Sequence, residues 1–100
     1  MTNFEIGGYM FVASNCIQGV LINPALPEMF DQTPNAERSR EEKARWWDRP
    51  YIVSDKNERW PHGVRYTVRM LDGGAWDRST NHGMYGSIEE AVARALELLP

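Results

Sequence analysis

Arginine and tryptophan side chains recur on two neighbouring stretches in the second half of this chain. Arg65 and Arg69 lie in VRYTVRML, and Trp76, Asp77 and Arg78 follow in GGAWDRST. Guanidinium forks bind carboxylates or phosphates in a bidentate manner, and tryptophan supplies a flat apolar anchor. If these residues share one surface, that surface is suited to recognising an anionic partner. Trp60, in the polar connection just upstream, extends the same predicted surface.

The triplet Trp-Asp-Arg occurs twice, at residues 47–49 and 76–78. The first copy lies in RWWDRP, at the predicted end of a helix that has few other apolar residues. Large aromatic side chains are mostly buried, so Trp46 and Trp47 are expected to anchor that helix by packing. Only the second copy is therefore a candidate for a binding site.

Nucleophilic and metal chemistry have weaker support in the residue types and spacings. Cys16 with His82 and Asp77 could in principle form a catalytic group, but a nucleophilic cysteine needs a lowered pKa and a base within hydrogen-bond reach. Cys16 is the only cysteine, and His62 and His82 show no metal-ligand spacing such as HxH or HExxH. We therefore expect no catalytic residues, no metal site and no cofactor.

The arginines must be positioned by a predicted strand and a tight turn. Alternate residues of the segment 64–71 are apolar, so one face of this strand is expected to be core and the other mostly polar. Asp72-Gly73-Gly74 is a strong signal for a two-residue hairpin turn, which makes AWDRST the predicted returning strand. The expected core face holds Val64, Tyr66, Val68 and Met70, and the opposite face holds Arg65, Thr67, Arg69 and Leu71.

Two registers of this hairpin place the side chains on the same faces. With Asp72-Gly73 at the centre, Arg69 opposes Trp76; with Gly73-Gly74 at the centre, Arg69 opposes Arg78. Both put Trp76 among the arginines on the solvent face, whereas a three-residue loop would reverse the assignment. The alternative to a recognition surface is a solvated sheet face on which the arginine stems cover Trp76 by cation–π contact.

Other segments complete an α+β pattern. Residues 9–13 and 17–22 are predicted strands, residues 23–34 form a loop with three prolines, and Tyr51 to Ser54 is a further strand. A helix is predicted near residues 36–47, capped by Asn35. The C-terminal helix is the clearest element, because Ser87 and Glu90 form a capping box before an amphipathic stretch. The expected fold is a small antiparallel sheet of three to five strands, with the C-terminal helix packed on one face.

Size and composition limit the class of protein. One hundred residues suit a single domain spanning 1–100, and 42% hydrophobic with 25% charged residues is typical of a globular chain. The net charge of −3 includes no basic tail that would steer the chain toward nucleic acid. No signal peptide or membrane span is predicted, so we expect a cytoplasmic protein.

The last 40 residues or so also carry a resemblance. LDGGAWDRST, then NHGMYG, then a helix that begins Ser-Ile-Glu-Glu-Ala resembles a pattern in small uncharacterised bacterial and phage-associated proteins. The resemblance implies an α+β fold and no established activity, so it assigns no catalytic residue. In a phage-derived chain, the implied role would be an inhibitor that docks on a host complex.

These observations favour a small binding or regulatory protein that is not an enzyme and recognises another protein. The predicted site consists of Arg65, Arg69, Trp76, Asp77 and Arg78, with Trp60. The second hypothesis is single-stranded nucleic-acid binding, in which bases stack on Trp76 and the same arginines contact phosphates. A hydrolase that uses Cys16 and His82 is the third. The oligomeric state is left open.

Overall fold

A computed structural model of the chain describes residues 4–6, 9–11, 16–73 and 78–99, with side chains from Cys16 onward. It has an α+β fold in which two helices accompany two sheets. The elements in chain order are β1 (Phe4–Ile6), β2 (Tyr9–Phe11), β3 (Cys16–Ile17), β4 (Val20–Ile22), α1 (Arg40–Trp46), β5 (Tyr51–Lys56), β6 (Val64–Met70), β7 (Thr80–Tyr85) and α2 (Ile88–Leu98).

The main sheet has five strands in the order β3-β4-β5-β6-β7, and β1 pairs with β2 in a separate two-stranded sheet. Three of the four pairings in the main sheet are antiparallel, as predicted, and the pairing of β4 with β5 is parallel. Parallel neighbours need a long crossover, and residues 23–50, which include α1, provide it. The crossover covers part of one face of the sheet.

The other face is covered by α2, as the capping box and the apolar spacing predict. Ser87 Oγ accepts a hydrogen bond from the Glu90 backbone N–H at 3.3 Å, which satisfies one of the open donors at the helix N-terminus. Small side chains let the helix approach the sheet closely. The buried residues of this core are Val20, Ile52, Val68, Ala91, Val92 and Ala95.

On the crossover face, three aromatic side chains form a second core. Trp46 packs edge-on against Phe30 and Tyr51, with ring centroids 5.4 Å and 5.8 Å apart, and Leu71 completes the cluster. Such edge-to-face pairs add to the free energy of simple burial. Trp46 is only 1% exposed, so it anchors the C-terminal end of an otherwise polar helix, as the sequence indicates.

The predicted helix near residues 36–47 begins later than expected. Asn35–Glu37 forms a separate 3₁₀ turn, the backbone is extended at Arg38, and α1 starts after Ser39. Ser39 Oγ accepts a hydrogen bond from the Glu42 N–H at 3.0 Å and so caps the helix in place of Asn35. The buried Arg38 guanidinium bridges the break, since it donates to the Phe30 carbonyl and to Glu42.

Two strand predictions are corrected. Residues 17–22, predicted as one strand, belong to a hairpin in which Gln18 and Gly19 form a two-residue turn between β3 and β4. Both turn residues have positive φ, 53° and 87°, as a type I′ turn requires. The first predicted strand, 9–13, is represented by β2, and its last two residues lie outside the described part of the chain.

The hairpin predicted around residues 72–74 is also wrong in register. Met70 pairs with Thr80 and Arg69 pairs with Asn81, so neither predicted register, in which Arg69 would oppose Trp76 or Arg78, is formed. The chain between the two strands, residues 71–79, is called the 71–79 connection below. Gly73 does adopt a positive φ of 80°, but it is not the centre of a two-residue turn between paired strands. The polar face of β6 is likewise more enclosed than expected, because Thr67 and Leu71 are buried and Leu71 packs in the aromatic cluster.

Candidate binding groove

A groove of about 520 Å³ lies on the crossover face of the sheet, beside the aromatic cluster. Strands β5 and β6 form its floor, the segment before α1 forms one wall, and the end of the 71–79 connection forms another. Its volume is in the range of sites that enclose small ligands or single side chains of a partner. The lining residues are Leu26, Asp31, Gln32, Tyr51, Val53, Asp55, Arg65, Thr67, Arg69 and Arg78.

One end of the groove is closed by a cross-strand ion pair. Asp55 on β5 lies opposite Arg65 on β6, and the guanidinium donates from Nε and Nη2 to the two carboxylate oxygens at 3.2 Å and 2.8 Å. In this bidentate geometry, the guanidinium and the carboxylate neutralise each other. Both side chains are more than a third exposed, so the pair mainly orients Arg65 and adds little to the stability of the fold.

At the other end, the buried Ser79 joins three groove residues. Its hydroxyl accepts hydrogen bonds from Tyr51 Oη at 2.9 Å and Arg69 Nε at 2.7 Å, and donates to Asp31 Oδ1 at 3.3 Å. A hydroxyl has one donor and two lone pairs, so Ser79 Oγ is saturated. The Ser79 N–H also donates to Asp31, and Arg69 donates to the Ser79 carbonyl. This network attaches the 71–79 connection to the sheet.

Tyr51 supplies a fixed neutral donor to this network. Burial raises the pKa of the Tyr51 phenol, and the Asp31 carboxylate raises it further, while the hydrogen bond from Tyr51 to Ser79 and the charge of Arg69 act in the opposite direction. The phenol therefore stays protonated at neutral pH and donates to Ser79. Because Asp31 and Arg69 meet the same serine, the polar end of the groove is preorganised before any partner binds.

Arg78 is the cation best placed to contact a partner. It precedes the anchored Ser79, its side chain is exposed at the groove rim, and it makes no ion pair with any residue that the structure describes. Among the residues that the structure describes, the groove holds three arginines and two aspartates, and one of those aspartates is neutralised by Arg65. These described side chains therefore carry one net positive charge, and the exposed Arg78 presents a positive charge to solvent.

The structure brings together part of the predicted site. Arg65, Arg69 and Arg78 line the same groove, although Arg78 comes from the connection and not from a paired strand. Trp76 and Asp77 lie outside the described residues. Trp60 is half-buried in the turn after β5, where it lies beside Gly86, and it is not among the groove residues.

Sequence reasoning missed three residues that shape the groove. Asp31, Tyr51 and Ser79 are separated by 20 to 48 positions along the chain, and no spacing rule connects them. The proline-rich segment 23–34 could have indicated Asp31, since loops held by a rigid scaffold often carry binding residues. The parallel crossover, which places Asp31 over the sheet, is visible only in the fold.

The residues of the hydrolase hypothesis do not meet. Cys16 is on β3 and His82 is on β7, the two edge strands of the main sheet, roughly 19 Å apart at the usual strand spacing. Burial raises the pKa of the Cys16 thiol, which disfavours the reactive thiolate. His82 is the extra residue of a β-bulge in β7, because Val68 pairs with Gly83 and Arg69 with Asn81.

The bulge directs His82 toward Asp72 at the start of the long connection. His82 Nε2 lies 2.9 Å from Asp72 Oδ2, and Thr80 Oγ1 donates to Asp72 Oδ1 at 2.5 Å. Arg94 of α2 donates to the His82 carbonyl at 3.1 Å. Among residues 16–73 and 78–99, no group of three potential metal ligands is present. These contacts attach Asp72, at the start of the connection, to β7, and they attach β7 to α2.

Comparisons with family models, with curated proteins and with solved structures found no match to this chain. The resemblance of residues 60–99 to phage-associated proteins therefore stays a prediction. Within the part of the chain that the structure describes, neither helix is long and apolar enough to cross a membrane.

Proposed function

We propose that this protein is a binding or regulatory module that recognises an acidic segment of another protein through the groove. The observation that carries the proposal is the convergence of Arg65, Arg69 and Arg78 on one concavity, with Arg78 exposed and without an ion pair among the described residues. A carboxylate that docks there would gain charge-assisted hydrogen bonds from a guanidinium whose neighbour, Ser79, is already anchored.

The charge balance favours a protein partner over single-stranded nucleic acid. A nucleic-acid strand carries one phosphate per nucleotide, and tight binding requires several neutralising contacts. Within the described part of the chain, the groove has a surplus of one positive charge, and the carboxylates of Asp31 and Asp55 face the same space. One side-chain carboxylate matches that surplus, whereas a row of phosphates would meet the two aspartates.

Cytoplasmic location belongs to the same proposal. With Cys16 as its only cysteine, the chain forms no intrachain disulfide, which suits a reducing compartment. If the chain derives from a phage, as the resemblance implies, the partner would be a host protein that exposes such a segment.

The test is fluorescence anisotropy with a labelled glutamate-containing peptide, a glutamine-substituted version of it and a labelled oligothymidylate strand. We expect the glutamate peptide to bind and Arg78→Ala to weaken binding about tenfold, since each charge-assisted contact is worth roughly 1.5–3 kcal/mol. Arg59→Ala is the matched control, because Arg59 is an exposed arginine outside the groove. Equal binding by both variants, or binding of oligothymidylate alone, would refute the proposal.

A further inference from the structure

The floor of the groove is apolar between its two charged ends. Val53 and Thr67 lie opposite each other on β5 and β6, and Leu26 faces them from the wall. Val53 and Leu26 are half-buried and pack against the aromatic cluster. A ligand that offered only a charge would leave this apolar floor in contact with water.

The spacing of floor and charges matches the repeat of an extended chain. Arg69 pairs with Tyr51, and the Val53–Thr67 pair is two residues further along the same strands. Two residues of a strand span roughly 6.6 Å, and residues i and i+2 of an extended ligand point to the same side at the same separation. A ligand running along β5 and β6 can therefore place one side chain at the Arg69/Arg78 end and the second-next side chain over Val53.

We propose that the preferred occupant is an extended peptide segment of a partner protein in which an apolar residue and an acidic residue are separated by one position. The carboxylate binds at the end that holds Arg69 and Arg78, and the apolar side chain packs on Val53, Thr67 and Leu26. This inference rests on the proposed function and specifies the partner's motif.

The charge arrangement also determines which end takes the carboxylate. Arg65, at the far end, already makes a bidentate ion pair with Asp55, so an incoming carboxylate there would compete with Asp55. Arg78 has no such competitor among the described residues, and Arg69 uses its Nε and Nη2 on Ser79. Of the two ends, the Arg78 end is the one that can accept an acidic group without breaking an existing pair.

The experiment compares four labelled peptides of otherwise identical Gly/Ser sequence by anisotropy against the full chain. The reference peptide contains Leu-Ser-Glu; the others replace Glu with Gln, replace Leu with Ser, or remove the intervening Ser. We expect each change to weaken binding about tenfold or more, because each removes the carboxylate, the apolar contact or their matched spacing.

A conservative substitution in the floor tests the apolar contact from the protein side. Val53→Thr keeps the shape of the side chain and replaces a methyl with a hydroxyl, so we expect weaker binding of the Leu-Ser-Glu peptide and unchanged binding of the peptide that lacks Leu. Val64→Thr is the control, since Val64 is a half-buried valine of the same sheet that does not line the groove. Thermal melting of both variants checks that each remains folded.

The outcomes separate this inference from the proposed function. If all glutamate-containing peptides bind equally, whether or not they contain leucine, acidic recognition stands and the motif is wrong. If the Leu-Glu peptide without the intervening serine binds best, the spacing argument is wrong. If no glutamate peptide binds while the wild-type protein is folded, both the motif and the proposed function are refuted.

Discussion

The two faces of the main sheet are covered in different ways. On one face, the regular helix α2 lays small and branched side chains on Val20, Ile52 and Val68, all of which are fully buried. On the other face, the crossover between β4 and β5 packs an aromatic cluster over only part of the sheet. The remaining part is the groove, where arginines and aspartates stay within reach of solvent.

The contrast shows how one sheet can combine a stable core with an open site. A helix with an apolar stripe buries a sheet face continuously, whereas an irregular segment with prolines meets it only where large side chains project. Polar groups beneath the irregular segment are satisfied by side chains such as Ser79 and Asp31. We therefore expect substitutions on the helix face to change stability alone, and those on the groove face to change stability and binding together.

The largest expected effect is on the aromatic cluster. Trp46→Ala should lower the free energy of unfolding by roughly 3–5 kcal/mol, because it removes a side chain that is 1% exposed and contacts Phe30 and Tyr51. Urea unfolding measures the change. Trp60→Ala, at a half-buried position in a turn, is the control and should lose clearly less. Equal losses would show that the cluster is not the core of this face.

A pair of serine substitutions tests the difference between the faces directly. Ser79→Ala removes the acceptor shared by the Tyr51 hydroxyl and Arg69 Nε and should cost about 1–3 kcal/mol. Ser87→Ala removes the N-cap of α2 and should cost about 1 kcal/mol. Urea unfolding gives both values, and anisotropy with the Leu-Ser-Glu peptide gives the affinities.

Only Ser79→Ala is expected to reduce peptide affinity, because the Ser79 hydroxyl orients Arg69 and bonds to Asp31, which helps to hold the backbone next to Arg78 on the sheet. If Ser87→Ala weakened binding to the same extent, the two faces would not be independent. Unchanged affinity in Ser79→Ala would show that the network stabilises the fold without shaping the groove.

The smallest expected effect is a pH dependence at alkaline pH. Because the pKa of Tyr51 is raised in the folded state, the unfolded chain loses this proton first, near pH ~10. The stabilisation from the protonated phenol is therefore fully present below that pH and is lost as pH rises through the folded pKa. Urea unfolding of wild type and Tyr51→Phe should give a stability difference that shrinks above pH ~10; a constant difference would contradict the role of Tyr51.

The fold and the groove differ in how far the sequence predicts them. The capping box at Ser87 and the alternation along β6 depend on residues close together in the chain, and both elements form where predicted. The Asp-Gly-Gly signal at residues 72–74 failed, because pairing starts at Thr80 and Asp72 binds the side chains of Thr80 and His82. Turn propensity is a local preference of modest energy. Instead of a two-residue turn, hydrogen bonds between Asp72 and the side chains of Thr80 and His82 in β7 are formed.

By itself, the sequence determined the class of fold, the C-terminal helix and the presence of arginines on a strand beside a loop. Local hydrogen bonds and side-chain periodicity act over a few residues, so they can be recognised in the order of residues. Only the tertiary structure decided that Asp31, Tyr51 and Ser79 meet and that Arg78 reaches the rim above β5 and β6. Those contacts depend on the parallel crossover and on the length of the 71–79 connection, which are set by packing across the whole sheet.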